Sequence, residues 1–297
     1  LTGPQIVDAT GVAGTINLNS ALPALTGEIT IAGPGAVSLF VDASHVTGGV
    51  SAWSVSSGAT ITISGLTIQG GVATDGGGIY NSGTLALHSM VITGNRASHF
   101  GGGIYNAGSL TIENSLIATN DALSSGQGGG IQNAGAASLT ITNSTVTGNR
   151  ASFYGGGISS GGALTIINAT IAANQVTGGY GGGISASQTF TLLNSIVAGN
   201  TGGSPDISCG LAIAVNYSLI QSTSGNGNFA PGSSHYITGV SPLLASLANN
   251  GGPTQTMALR FGSPAINAGT TGVGVPGVDQ RGTTRDATPD MGAYEFV

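Results

Sequence analysis

The stretch GGGIYNAGSLTIENSLIATN, residues 101–120, contains both phrases that repeat along this chain. Gly-Gly-Gly-Ile recurs at Gly76–Ile79, Gly101–Ile104, Gly128–Ile131, Gly155–Ile158 and Gly181–Ile184, in steps of 25, 27, 27 and 26 residues. A second phrase follows each triplet in fixed phase: LALHSMVITGN from Leu85, LTIENSLIATN from Leu110, LTITNSTVTGN from Leu139, LTIINATIAAN from Leu164 and FTLLNSIVAGN from Phe190. Every copy ends in Asn, at Asn95, Asn120, Asn149, Asn174 and Asn200. A constant period of this length marks a solenoid.

Apolar residues alternate within the second phrase, as at Leu110 and Ile112 or Leu139 and Ile141, and Val, Ile and Thr dominate it. That is a strand pattern. Two or three short strands per repeat, separated by Gly and Asn where positive φ is tolerated, fit one rung of an all-β, single-stranded parallel β-helix. The Leu/Asn consensus of leucine-rich repeats and the helical period of α-solenoids are both missing.

Stacked rungs place equivalent residues about 4.8 Å apart, so the repeat predicts ladders. Leu87, Ile112, Ile141, Ile166 and Leu192 form one inward apolar column, and Ile92, Ile117, Val146, Ile171 and Val197 another, with Ile63 and Ile68 extending both. Asn114, Asn143, Asn168 and Asn194, preceded by Gly65 and Ser89, sit where the alternation is about to reverse. They are expected to form an inward Asn ladder at a bend, with exposed turn Asn as the alternative. Arg96, Asp121 and Arg150 each follow the turn Asn and are expected to form a ladder of alternating charge. Tyr80 and Tyr105 follow the triplet Ile in adjacent rungs, while Phe100, Tyr154 and Tyr180 precede the triplet. These are two sparse aromatic columns, and Tyr80 and Tyr105 are candidate glycan contacts.

Of 297 residues 54 are Gly and 16 are charged, with no Lys; the cations are Arg96, Arg150, Arg260, Arg281 and Arg285. A net charge of −6 argues against a nucleic-acid partner, which requires a basic face. No apolar run approaches the about 20 residues of a membrane span, so no membrane insertion is expected. Cys209 is the sole cysteine and a small buried hydrophobe. The chain opens at Leu1 without a signal peptide, as after removal of a leader or excision of a segment, and its Ser/Thr/Asn/Gly-rich composition suits an extracellular or cell-surface protein.

Residues 1–60 read as irregular N-terminal rungs, 61–222 as regular repeats, and 223–297, where five prolines from Pro242 to Pro289 interrupt any period, as a C-terminal cap. TISGLTIQGG, the GGGIYN rungs with their TGN turns, SPLLASLANNGGPTQTMALRFGSPAINAG and the ending VDQRGTTRDATPDMGAYEF resemble the bacterial surface β-helix proteins called choice-of-anchor Q domain proteins. The rungs also resemble the GG-[AG]-I and FxxN repeats of polymorphic outer-membrane proteins. The resemblance covers nearly the whole chain and implies export and a right-handed parallel β-helix. Asn267 stands where that family has Asp in SPAIDAG, and neither its leader region nor a sorting anchor is found.

Asp75, Glu113, Asp121 and Asp206 fall at different phases, and His45, His88, His99 and His235 are scattered, so no catalytic set converges and no enzyme is expected. The densest polar cluster, Asp279, Arg281, Arg285, Asp286, Asp290 and Glu295, reads as ion pairs pinning the cap, with calcium at Asp279, Asp286 and Asp290 as the alternative. No other cofactor is expected. The first functional expectation is a structural subunit that assembles head to tail with itself into a surface filament or layer, since Leu1–Leu25 offers no cover for its strand edge. The alternative is an adhesin or glycan-binding stalk, and the third reading is a polysaccharide lyase-like enzyme.

Overall fold

The computed structural model describes residues 4–225, 228–272 and 274–297. Residues 1–3 of the N-terminal stretch, 226–227 of the cap and 273 lie outside the described residues. One rung shows the plan. Ser109–Glu113 belongs to a nine-stranded sheet 1, Leu116–Ala118 to a ten-stranded sheet 2, Asp121–Ala122 to a five-stranded sheet 3 and Ile131–Asn133 to a seven-stranded sheet 4. Ser138–Thr142 then re-enters sheet 1, parallel to and in register with Ser109–Glu113. Each regular rung thus has four segments where two or three were expected. Sheet 3 contributes only two residues in several rungs, too few to show an alternation.

Both predicted apolar columns are fully buried, as are Ile63 and Ile68, and the triplet isoleucines Ile79, Ile104, Ile131, Ile158 and Ile184 add a third column. Each such side chain contributes about 1.5–3 kcal/mol through burial. The triplets stack backbone on backbone: a Cβ on Gly102 would stand 2.4 Å from the Gly129 carbonyl oxygen of the next rung. Only glycine permits that approach.

The Asn ladder lies elsewhere than expected. Asn114, Asn143, Asn168 and Asn194 occupy the bend, with φ of 50°, 45°, 50° and 47°, a left-handed conformation in which Asn is enriched. They do not bond to one another. The positive φ interrupts the alternation, so the Asn turns outward and its small successor, Ser115, Ser144, Ala169 or Ser195, fills the buried inner corner. The inward ladder is built instead from the Asn that closes each phrase. Nδ2 of Asn95, Asn120, Asn149 and Asn174 donates to Oδ1 of the next Asn at 2.9–3.0 Å, and Asn200 donates to Asp206 at 2.9 Å. Burial pushes the Asp206 carboxyl above the usual range, against the donors from Asn200 and Ser222. A second ladder runs Asn81, Asn106, Asn133, Ser160, with steps of 2.7, 2.8 and 3.0 Å.

The segment expected as a terminal cap divides. Ile237–Thr238 pairs with Leu219–Ile220, and bridges at Phe229 and Ser234 add a partial last rung. From 241 the chain runs back along the flank of sheet 2. Outward-facing Ile196 and Leu219 are apolar and require cover, which Leu259, Ala265 and Met291 supply. Thr254 Oγ1 donates to Asn114 O at 3.0 Å, Thr145 Oγ1 to Gln280 Oε1 at 2.7 Å and Gly292 N to Asn194 O at 2.7 Å.

Arg285 pins this strap. Its guanidinium meets Glu295 at 3.0 Å, the carbonyls of Asp290 and Gly292 at 3.1 and 2.8 Å, Asn143 Oδ1 at 3.4 Å and the Asn168 amide oxygen at 3.1 and 3.2 Å. The outward Asn column is therefore a docking row for the strap. The carboxylates weighed for calcium face N–H donors. Asp279 accepts from Arg281, Thr283 N and Glu295 N, Asp286 from Thr288 N, and Asp290 from Asn267 N and Phe296 N. Burial pushes the Asp290 carboxyl up to about 6.

Candidate functional site

Three outward features of the helix carry side-chain chemistry. On sheet 3, Arg96 and Arg150 flank Asp121 in register, each at 3.9 Å from the same Oδ2. Arg96 and Arg150 are half exposed, and exposed pairs of this kind contribute about 0–1 kcal/mol. On sheet 1, His88 and Glu113 stand opposite one another and meet at 3.1 Å. The two fall at the same offset of the repeated phrase, a signal that reading the histidines as scattered misses.

The third feature is a lateral groove along sheet 4. One wall is the outward column of that sheet, Ser54, Tyr80, Tyr105, Gln132, Ser159 and Ser185, each in register with the next. The other is the column before the Gly triplet, Asp75, Phe100, Gln127, Tyr154 and Tyr180, joined by successive parallel bridges. The repeat holds both columns five residues apart across a triplet that has no side chains, which is why they rise as two parallel ridges.

Aromatic rings concentrate there. Tyr80 and Tyr105 stack at 4.9 Å between centroids with planes 20° apart, and Tyr154 and Tyr180 lie 6.4 Å apart at the same angle. Phe100 meets Tyr105 at 6.4 Å across the groove. That contact separates two depressions. One, of about 440 Å³, is lined by Ala21, Gly49, Ser51, Ser54, Asp75 and Tyr80. Since Ser54 is the small neighbour of Tyr80 in the preceding rung, the ring face of Tyr80 turned away from Tyr105 is left free. The other, of about 280 Å³, is lined by Gln127, Gln132, Tyr154 and a group of serines including Ser159 and Ser185.

Electrostatically the groove is sparse. Among the described residues Asp75 is the one charged side chain lining either depression, and its Oδ1 accepts from Phe100 N at 3.1 Å. Burial, then Tyr80 and Asp75, pushes the Tyr105 phenol up, so it remains neutral and able to donate. Among the described residues no three His, Cys, Asp or Glu side chains gather in a metal-ligating arrangement, and no helix is long and apolar enough to cross a membrane. A third depression, of about 260 Å³, lies between Phe40, Val91 and Leu116 of sheet 2 and the 249–255 turn of the strap; it is apolar.

Sequence reasoning located Tyr80, Tyr105 and the column of Phe100, Tyr154 and Tyr180 but missed Gln132 and the serines. Their signal was the repeat itself, since Gln132, Ser159 and Ser185 hold the phase of Tyr105 in later rungs.

A family model described as the right handed beta helix region matches residues 48–229. The chain is similar to the solved structure titled "Crystal structure of pectate lyase Pel9A", at 14% identity and a TM-score of 0.43, over 96% of this chain and 86% of that one. At that distance nothing of the lyase's activity carries over. A search among curated proteins finds no match. The matched residues span more than half of the chain and contain the four-segment rungs, so this protein belongs to the family of right-handed parallel β-helices.

Proposed function

We propose that this chain is an extracellular β-helix module of the choice-of-anchor Q type that binds polysaccharide along the sheet 4 groove without cleaving it. The observation that carries the reading is the Tyr80–Tyr105 stack beside a depression of about 440 Å³. An aromatic face packs well against the apolar face of a sugar ring, and neighbouring hydroxyl, amide and carboxylate groups hydrogen-bond its rim. Binding is favoured over lysis because cleavage needs an acid or base within reach of the substrate proton plus electrostatic stabilisation, and Asp75 is the one carboxylate among the described lining residues. Tyr80→Ala is expected to weaken binding to an immobilised glycan panel about tenfold, or about 1.4 kcal/mol, with an unchanged melting temperature. Release of unsaturated sugars from pectin or alginate would replace this reading with the lyase-like one.

A second reading, axial self-association, has its own observation. Among the described residues Gln5–Asp8 and Gly14–Asn17 each pair on one side only, and Ile6, Val7, Val12 and Ile16 are 76%, 49%, 43% and 44% exposed at that edge. An uncovered edge recruits another strand, and a head-to-tail contact that does not close gives a filament. Sedimentation at rising concentration is expected to show growing linear species; a constant monomer would remove the proposal.

A further inference from the structure

Gln132 stands out among the residues of the groove. It is 9% exposed, its Oε1 has no hydrogen-bond partner, and its Nε2 is held only by a 3.5 Å contact to Asn133 O. A buried acceptor left unpaired is destabilising, and native structures rarely keep one without a use. The side chain lines the 280 Å³ depression together with Gln127, Tyr154, Ser159 and Ser185. Turning the loosely held amide toward that depression would bring Oε1 to whatever donor occupies it.

Resting on the glycan-binding reading above, we infer that Gln132 is the specificity-determining residue of the groove and selects an uncharged, hydroxyl-rich oligosaccharide. Two acceptors set the selection. Gln132 Oε1 at one depression and the Asp75 carboxylate at the other both call for hydrogen-bond donors, which sugar hydroxyls supply and a uronate carboxylate does not. Among the described residues no Arg lines either depression to neutralise an acidic sugar, so a polyanionic chain would meet repulsion from Asp75 and no compensating cation there. From the Tyr80 rung to the Ser159 rung is three steps, or about 14 Å at the strand spacing. Occupying both depressions therefore takes an oligosaccharide and not a single sugar.

The test compares wild type, Gln132→Met and Tyr80→Ala by calorimetric titration with cello-, xylo- and chito-oligosaccharides and with oligogalacturonate, alongside thermal melts. Wild type is expected to bind at least one of the uncharged series, and oligogalacturonate at least tenfold more weakly. Gln132→Met removes the unpaired amide while keeping its bulk, so it is expected to melt at the same or a higher temperature and yet to bind about tenfold more weakly. A structural role for Gln132 would instead lower the melting temperature. Wild-type affinity retained in Gln132→Met, or tighter binding of oligogalacturonate, overturns the selection by Gln132 while leaving the groove a glycan site. Absence of binding to every glycan by the wild-type protein overturns the underlying reading itself.

Discussion

Asn149→Ala is expected to destabilise the protein by about 4 kcal/mol in chemical denaturation, among the largest effects of any side chain in the rungs. The Asn149 amide serves four partners at once. Nδ2 donates to Asn174 Oδ1 and to Ile117 O, both at 2.9 Å, and Oδ1 accepts from Asn120 N at 3.0 Å and from Asn120 Nδ2 at 2.9 Å. All of these groups are buried, and each polar group left without a partner costs about 1–3 kcal/mol. The total stays below the plain sum because neighbours relax. The ladder also loses continuity, since Asn120 and Asn174 no longer polarise one another through a shared amide. A loss below about 1 kcal/mol would mean that the apolar columns alone hold the rungs in register.

Arg285→Met is expected to release the strap. The guanidinium and Glu295 are a buried pair, with side chains 2% and 3% exposed. Burial pulls the Arg285 guanidinium below its usual range, and Glu295, Asp279 and Asp290 offset part of that. Removing one member of such a pair leaves the other charge uncompensated, at about 3–5 kcal/mol. Here the loss is local. The hydrogen bonds that join the strap to sheet 2 at Asn143 and Asn168 go with the same side chain, while the ladders inside the helix are untouched. Limited proteolysis should therefore cut the variant within 241–297 and leave a resistant β-helix fragment. A digestion pattern identical to that of the wild type would show that the apolar contacts of Leu259, Ala265 and Met291 and the hydrogen bonds at Asn114, Thr145 and Asn194 hold the strap without Arg285.

The rungs were legible because repetition supplies its own alignment: five copies placed Ile112 above Leu87 and Arg96 below Asp121 before any coordinate was known. Assigning which Asn turns inward was harder. Alternation extrapolated through Ile112, Glu113 and Asn114 fails at one positive φ, and the Gly65 that heads the same column was the signal that the backbone turns there. The closing Asn of every phrase has an unvarying position but reads from sequence as a turn residue, because a side chain inside a solenoid and one at its corner share the same period. The strap was least legible. Its partners lie up to 165 residues away, as for Gln280 and Ser115, and no periodicity links them. The groove fell between these extremes, with its aromatic residues visible as columns and its polar members hidden by their ordinary composition.

The most direct test of the polysaccharide site is a crystal structure of the full chain with a bound uncharged oligosaccharide. The sugar chain is expected to run parallel to the helix axis along sheet 4, one ring stacked on Tyr80 and a hydroxyl within hydrogen-bonding distance of Gln132. An oligosaccharide lying on sheet 1, on sheet 3 or beneath the strap, with the sheet 4 groove empty, would contradict it.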